Sequence, residues 1–206
     1  MKRHVLGRRV ERLLLYASVG LILTGCNATV QLAYAPIPVA SKLPAKKVAL
    51  VAFADEIPPD HRTGRAKGGF GNTVRWVTIK PPVATVLSEA IADALIRSGM
   101  DVESLASGEK PSQGFVITGT VKDMRLQSKP GWSEVRVNAS IQFVAKVRRP
   151  DGSAVDLAIE GIAESSSVGG ATMSLDQLLA NAMTSAIQDG IRKLLAQAKA
   201  NKVFEG

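Results

Sequence analysis

The chain has little with which to build a disulfide framework or a histidine-based active site. Its 206 residues include one cysteine, Cys26, and two histidines, His4 and His61. A single cysteine excludes an internal disulfide, so the fold has to rest on its packed core. The sequence also lacks an apolar run of about 20 residues, the length that a membrane-spanning helix needs.

A basic N-terminus leads into a short apolar run. Five Lys or Arg residues lie within the first 12 positions, and residues 13–23 are mostly apolar. This arrangement is typical of an export signal. The run ends in Leu23-Thr24-Gly25-Cys26, which resembles the lipobox of bacterial lipoproteins. In that family the cysteine thiol takes a diacylglyceryl group, and the preceding signal peptide is removed.

The resemblance implies that Cys26 carries a lipid anchor with fatty acids such as palmitate. Two or three acyl chains hold a protein stably on a membrane, whereas a single chain binds only reversibly. In this family an aspartate after the cysteine favours the inner membrane, but here that position is Asn27. We therefore expect the periplasmic face of the outer membrane, with the inner membrane as the alternative. A chance buried cysteine is the competing interpretation of Cys26.

The net charge of +8 invites the hypothesis of a nucleic-acid partner. Five of the basic residues and one acidic residue belong to the predicted signal, which leaves +4 for the mature chain. Because much of the basicity is removed with the signal, we expect no nucleic-acid partner.

The sequence predicts three segments. Residues 1–25 form the signal peptide, residues 26–46 a lipidated N-terminus and proline-containing tether, and residues 47–206 a single domain. Pro36, Pro38 and Pro44 favour an extended tether, because proline fixes φ and removes a backbone donor. The alternation of Val30, Leu32 and Tyr34 also permits an edge strand along the domain.

Apolar periodicity predicts the elements of that domain. A buried strand starts at Lys47, a long loop covers residues 55–72, and the next strand places Val74, Trp76 and Thr78 on one face. A stripe with helical period then covers residues 83–98 and stops at Gly99.

The second half of the sequence predicts a β-meander followed by a helix. Strict alternation over residues 135–148 indicates a strand with one buried and one solvated face. A change of phase near Lys122-Asp123 suggests a bulge, and Ser174 with Gln177 forms a capping box for the last helix. These elements predict an α+β, two-layer domain: a mainly antiparallel sheet with two helices packed on one face.

The order of these segments resembles the YajG family of bacterial lipoproteins and, more loosely, auxiliary lipoproteins of envelope transport systems. The likeness rests on the strand "KVALVAF", the charged Gly-rich segment and "WVTIKPPVATVLSEAIADALIRSGMDV". It implies an envelope location and this fold, and it implies no reaction.

Motifs for catalysis are missing from the sequence. His61 is the one histidine of the predicted mature chain, and no G-x-S-x-G or phosphate-binding glycine motif is present. Asp55, Glu56, Asp60 and His61 cluster, but a solvated acidic turn explains them better than a metal site. We expect no enzyme, no cofactor and no metal, with a periplasmic hydrolase or cell-wall-acting enzyme as the alternative.

A basic, glycine-rich stretch is the remaining candidate site. Arg62, Arg65 and Lys67 lie among glycines, and Arg75 follows closely. Such cations can bind phosphate or carboxylate groups of lipid headgroups, lipopolysaccharide or a partner protein. The alternative is a solvated loop whose charge only aids solubility. The sequence thus predicts a non-catalytic, lipid-anchored envelope protein that binds or assembles with a partner in a cell-envelope complex.

Overall fold

A long meander of three antiparallel strands forms the regular part of the structure. The computed structural model describes residues 28–32, 36, 42–59, 63–67, 72–106, 109, 114–131, 134–168 and 174–205. The meander consists of β7 (Phe115–Pro130), β8 (Glu134–Arg148) and β9 (Ala154–Val168), which pair along their whole lengths. A register shift between Val121 and Asp123 confirms the predicted bulge.

Six shorter strands precede the meander along the chain. They are β1 (Ala28–Gln31), β2 (Lys47–Val51), β3 (Ala54–Asp55), β4 (Thr63–Lys67), β5 (Thr73–Lys80) and β6 (Asp101–Leu105). The helices are α1 (Val83–Arg97) and α2 (Leu175–Ala200). Strand β4 lies within the continuous loop that the sequence predicted over residues 55–72, and β3 overlaps its first residue, so that prediction is wrong.

Three of the short strands, β2, β3 and β4, pair with one edge of β7, and all three run parallel to it. β2 pairs with residues 115–117, β3 with residues 120–121 and β4 with residues 127–128. β6 extends the sheet beyond β2, while β5 and then β1 extend it beyond β4. The sheet therefore divides on this side of β7 into two branches.

The prediction of a two-layer domain with a mainly antiparallel sheet is wrong. Five of the eight strand pairings among the described residues are parallel, and the nine strands form one mixed sheet. Parallel neighbours need long crossover connections, and α1 lies in the one between β2 and β6. The overall α+β content agrees with the expectation.

The sheet curves around α2. This helix packs on β8 and β9 at one end of the strand order and also contacts β1 at the other end. We call the side that packs on α2 the inner face and the opposite side the outer face. Alternate residues of β8 are buried on the inner face: Val137, Ala139, Ile141, Phe143, Ala145 and Val147. α1 contacts β2, β6 and α2, so both helices join one hydrophobic core.

Both helices begin close to where the sequence predicts, and α1 also ends there. In α2 the Ser174 side chain accepts from the Gln177 N–H, and the Gln177 side chain accepts from the Ser174 N–H, which confirms the capping box. α1 ends at Arg97, and Gly99 follows with a φ of 100°, a conformation that favours glycine. None of the helices in the described ranges is long and apolar enough to cross a membrane.

The N-terminal segment joins the sheet. Residues 28–31 pair in parallel with β5, and Val30 and Leu32 are buried. This part of the segment therefore has the strand conformation that the alternation allowed. Tyr34 and the signal peptide lie outside the described residues.

Helix α2 approaches β9 very closely. A Cβ on Gly161 would lie 2.0 Å from the Ala186 carbonyl oxygen and 2.7 Å from the Gly190 nitrogen. The small residues thus let the helix and strand backbones come together, and no larger side chain fits at position 161 without moving the helix.

The same helix also hydrogen-bonds the free edge of β9. The Asp189 carboxylate accepts from the Ile162 N–H at 3.1 Å, and Lys193 Nζ donates to the Glu160 carbonyl at 2.8 Å. Partial burial raises the pKa of Asp189, but hydrogen bonds from Lys193 and the Ile162 N–H outweigh that effect and leave the pKa lowered. The carboxylate is therefore held in its charged form against the strand.

Candidate interaction surface

The basic stretch contains a cation stacked on an aromatic ring. Arg65 on β4 is opposite Trp76 on β5, and the guanidinium carbon lies 5.1 Å from the ring centroid. A guanidinium over an indole face is attracted by the ring quadrupole. Trp76 remains 45% exposed, and Arg65 is half-buried. The pair therefore presents a positive charge and an apolar ring together on the outer face.

Trp76 and Thr78 share one face of β5, as predicted, and that face is the exposed one. Val77 and Ile79 on the opposite face are buried in the core. The cation–π contact with Arg65 explains how the ring is accommodated on the surface.

Lys67 lies at the end of β4, next to an irregular register. Its backbone N–H donates to the buried Ser128 side chain at 3.2 Å, and the pairing of β4 with β5 shifts between Ala66 and Lys67. This contact ties the end of β4 to β7. Among the described carboxylates, none forms an ion pair with Arg65 or Lys67.

The structure describes less of the other predicted site residues. Arg75 lies on β5 directly before Trp76, and its backbone is opposite Ala66 in the register. Cys26, the predicted lipidation site, and Arg62 lie outside the described residues. The structure therefore brings Arg65, Lys67 and Arg75 onto one two-stranded ladder.

The register extends this ladder into a row across the sheet. Successive Cα partners on β5, β4, β7, β8 and β9 are Trp76, Arg65, Gln127, Asn138 and Glu164. The row starts with a cation–π pair, continues through two amides and ends with an exposed carboxylate. It follows the outer face, because the neighbouring positions on β4, β7 and β8 are buried on the inner face.

The outer face of the meander is polar with one large exposed apolar residue. Ile162 is 55% exposed and lies in register with Ser140 and Arg125. Arg136 hydrogen-bonds Glu134, and this bond and the attraction of the carboxylate raise the pKa of Arg136. The face thus combines fixed charges, amides and hydroxyls, which can hydrogen-bond another macromolecule.

Two surface depressions are bordered by described residues. One, of about 220 Å³, is bordered by Lys122, Gln142 and Glu160, and another, of about 300 Å³, by Lys42 and Lys199 near the end of α2. Within the described ranges there is no group of three or more His, Cys, Asp or Glu side chains that could hold a metal ion. Asp60 and His61 of the acidic cluster lie outside those ranges.

Sequence reasoning missed the row across the sheet. The alternation of β8 marked Asn138 and its neighbours as a solvated face, but it did not show which strands lie beside it. Gln127, Arg65 and Trp76 join Asn138 only through the pairing of β7 with β4 and of β4 with β5. The available signal was the aromatic residue beside basic residues in "TVRWVTIK".

Comparison with known proteins finds a similar fold without a sequence match. No family model and no curated protein matches the sequence. A crystal structure of a Xanthomonas campestris protein with the family label DUF330 has a TM-score of 0.50 at 12% identity, covering 87% of this chain and 98% of that one. A minor lipoprotein from Acinetobacter baumannii has a TM-score of 0.41 at 15% identity, with 80% and 96% covered. The chain therefore shares its overall fold with the DUF330 protein.

Proposed function

We propose that this chain is a lipid-anchored protein of the cell envelope that acts by binding a protein partner and catalyses no reaction. The lipobox-like sequence before Cys26 supports the anchor, and Asn27 favours the periplasmic face of the outer membrane. The proposal builds on the resemblance of the sequence to the YajG lipoproteins. The fold shared with the DUF330 protein supports it, although no family model matches the sequence.

The observation that carries the binding role is the outer face of the meander. Strands β7, β8 and β9 contain 16, 15 and 15 residues. At about 3.3 Å per residue and a width of about 4.8 Å per strand, they cover roughly 50 Å by 14 Å, or about 700 Å². That area approaches the roughly 800 Å² that one partner buries in a standard protein interface. Exposed Ile162, midway along the edge strand β9, adds an apolar side chain to this polar surface.

Fatty-acid labelling tests the anchor. Wild-type protein should take up a labelled fatty acid in cells, and Cys26→Ser should not, because the thiol is the group that is acylated. The same variant should keep residues 1–25, which gel mobility or mass spectrometry would detect. Equal label in both proteins would overturn the anchor.

Site-specific photo-crosslinking tests the binding role. A photoreactive amino acid at Ser140, in the middle of the outer face, should give a discrete adduct with one envelope protein. The same amino acid at Gln197, an exposed position of α2, is the matched control and should not give it. Ile162→Glu should weaken the Ser140 adduct and leave the melting temperature nearly unchanged, since the side chain is exposed. Identical adducts from both positions would contradict the proposed surface.

A further inference from the structure

The lipid anchor and the sheet are separated by very little chain. Strand β1 begins at Ala28, two residues after Cys26. Two extended residues span at most about 7 Å, so an acylated Cys26 would hold the start of β1 at the membrane surface. A connection this short does not let that end of the sheet move away from the anchor.

The strand register identifies what lies next to the anchor. Ala28 is the partner of Val77 on β5, and the two strands run parallel. The start of β1 therefore lies beside Val77, and Trp76 comes directly before Val77, toward the N-terminal end of β5. Because β4 and β5 are antiparallel, Arg65 and Lys67 on β4 lie toward the same end.

We call Arg65, Lys67 and Trp76 the anchor corner. The Trp76 ring is 45% exposed with Arg65 stacked on it, and neither cation has an ion-pair partner among the described carboxylates. Tryptophan favours the membrane–water interface, where its apolar ring and polar N–H are both accommodated. Lys and Arg near an anionic membrane are attracted to its headgroups.

We propose that the anchor corner docks on the membrane that carries the lipid anchor, with Trp76 at the interface and Arg65 and Lys67 on the phosphates of anionic phospholipids. This inference rests on the proposed acylation of Cys26. Docking fixes the orientation of the domain, because the anchor and the corner restrain it at neighbouring points. The opposite end of the strand order, at β9, is then left accessible to a partner.

Tryptophan quenching in vesicles tests the docking. The acylated full-length protein with Trp132→Phe keeps Trp76 as its sole tryptophan. In phosphatidylglycerol vesicles that contain brominated lipids, Trp76 fluorescence should be quenched and shifted to the blue. The control carries Trp76→Phe, Trp132→Phe and Ile162→Trp. Position 162 is four strand spacings of about 4.8 Å away along the sheet, so this tryptophan should stay unquenched.

A second experiment tests the role of the two cations. Arg65→Gln with Lys67→Gln should shift the ratio of docked to undocked protein about 30-fold toward undocked, given the attraction of two cations to an anionic surface. Raising the salt to 1 M should do the same to the parent protein, because screening then acts within about 3 Å. A melting temperature close to that of the parent shows that the fold is intact.

The outcomes separate the two proposals. Failure of Cys26 to take up a fatty acid overturns the anchor and the docking together. A labelled protein in which Trp76 is unquenched, or is quenched as much as the tryptophan at position 162, overturns the docking alone and leaves the corner to an acidic protein surface. Equal quenching in purely phosphatidylcholine vesicles overturns the assignment of Arg65 and Lys67 to anionic headgroups.

Discussion

The two edges of β7 are built in different ways. One edge pairs with β8 over nearly its whole length, across a connection of three residues. The other edge is divided among β2, β3 and β4, which come from distant parts of the chain and run parallel to it. The continuous edge depends on local pairing, whereas the divided edge depends on contacts that the whole fold has to bring together.

Helix α2 connects the two sides. It packs on β8 and β9 beyond the continuous edge and contacts β1 at the far end of the divided side. We therefore expect the two sides to unfold together, even though their strands form in different ways. Substitutions in α2, at its contact with β9 and in the β4–β7 pairing should each affect the stability of the two sides to a different extent.

Leu179→Asp should have the largest effect. Leu179 lies on α2 with none of its surface exposed, and a charge buried there without a partner costs several kcal/mol. The expected loss is about 4 kcal/mol or more, enough to unfold the domain. Gln197→Asp on the exposed side of the same helix is the control and should melt close to wild type. If amides of β7–β9 stayed protected from hydrogen exchange in Leu179→Asp, the two sides would be independent.

Gly161→Ala should have the next largest effect, on the side of the continuous edge. The new Cβ would meet backbone atoms of α2 at 2.0 Å and 2.7 Å, so the helix has to move. A loss of about 3 kcal/mol is expected from this overpacking. Gly64→Ala is the counterpart on the divided side, where the Cβ would meet the Leu126 side chain at 3.1 Å. Because a side chain can adjust, urea unfolding should show a loss of about 1 kcal/mol there. Equal losses at both positions would contradict this difference.

Ser128→Ala should loosen the divided edge alone. The buried hydroxyl accepts from the Lys67 N–H, and its removal leaves that donor without its partner, at a cost of about 1 to 2 kcal/mol. Hydrogen exchange should become faster at the Lys67 amide while the amides of β8 keep their protection. Uniformly faster exchange over both strands would show that the two edges respond as one.

Asp189→Asn should have the smallest effect, and the effect should depend on pH. The pKa of Asp189 is lowered in the folded protein, so its ionised form stabilises the fold above the unfolded pKa of about 3.9. That contribution disappears as the pH falls through the folded pKa. The variant should lose up to about 1 kcal/mol at pH 7, because the ion pair with Lys193 is partly exposed. The melting temperatures of the variant and the wild type should become equal once the pH is below the folded pKa of Asp189. A constant difference at every pH would show that the ionisation of Asp189 is not the source of the stabilisation.

The continuous side was predictable because its signals are local. The alternation of β8, the bulge after Val121 and the capping box at Ser174 each depend on residues close in sequence. A period of two or 3.6 in apolar residues directly reports which face is buried. These elements appear in the structure at the predicted positions.

The pairings of β7 on the divided side were not predictable, because they are distant in sequence. Val48 on β2 lies opposite Phe115 on β7, and no residue pattern in either strand specifies the other. β4 is short and glycine-containing, so its backbone role was hidden by its loop-like composition. The contact of Trp76 with Arg65 was hidden with it, because that contact exists only once β4 has paired with β5.

The hydrogen bonds from α2 to the edge of β9 affect how neighbouring copies of the chain can pair with each other. If Cys26 anchors the chain as proposed, copies on one membrane meet in two dimensions, and a strand edge with open N–H and C=O groups would be a template for pairing between them. The Ile162 N–H is already bonded to Asp189, and the Glu160 C=O is already bonded to Lys193. A neighbouring copy therefore cannot pair with these two groups unless α2 releases them, which hinders growth into an intermolecular, amyloid-like sheet at this position.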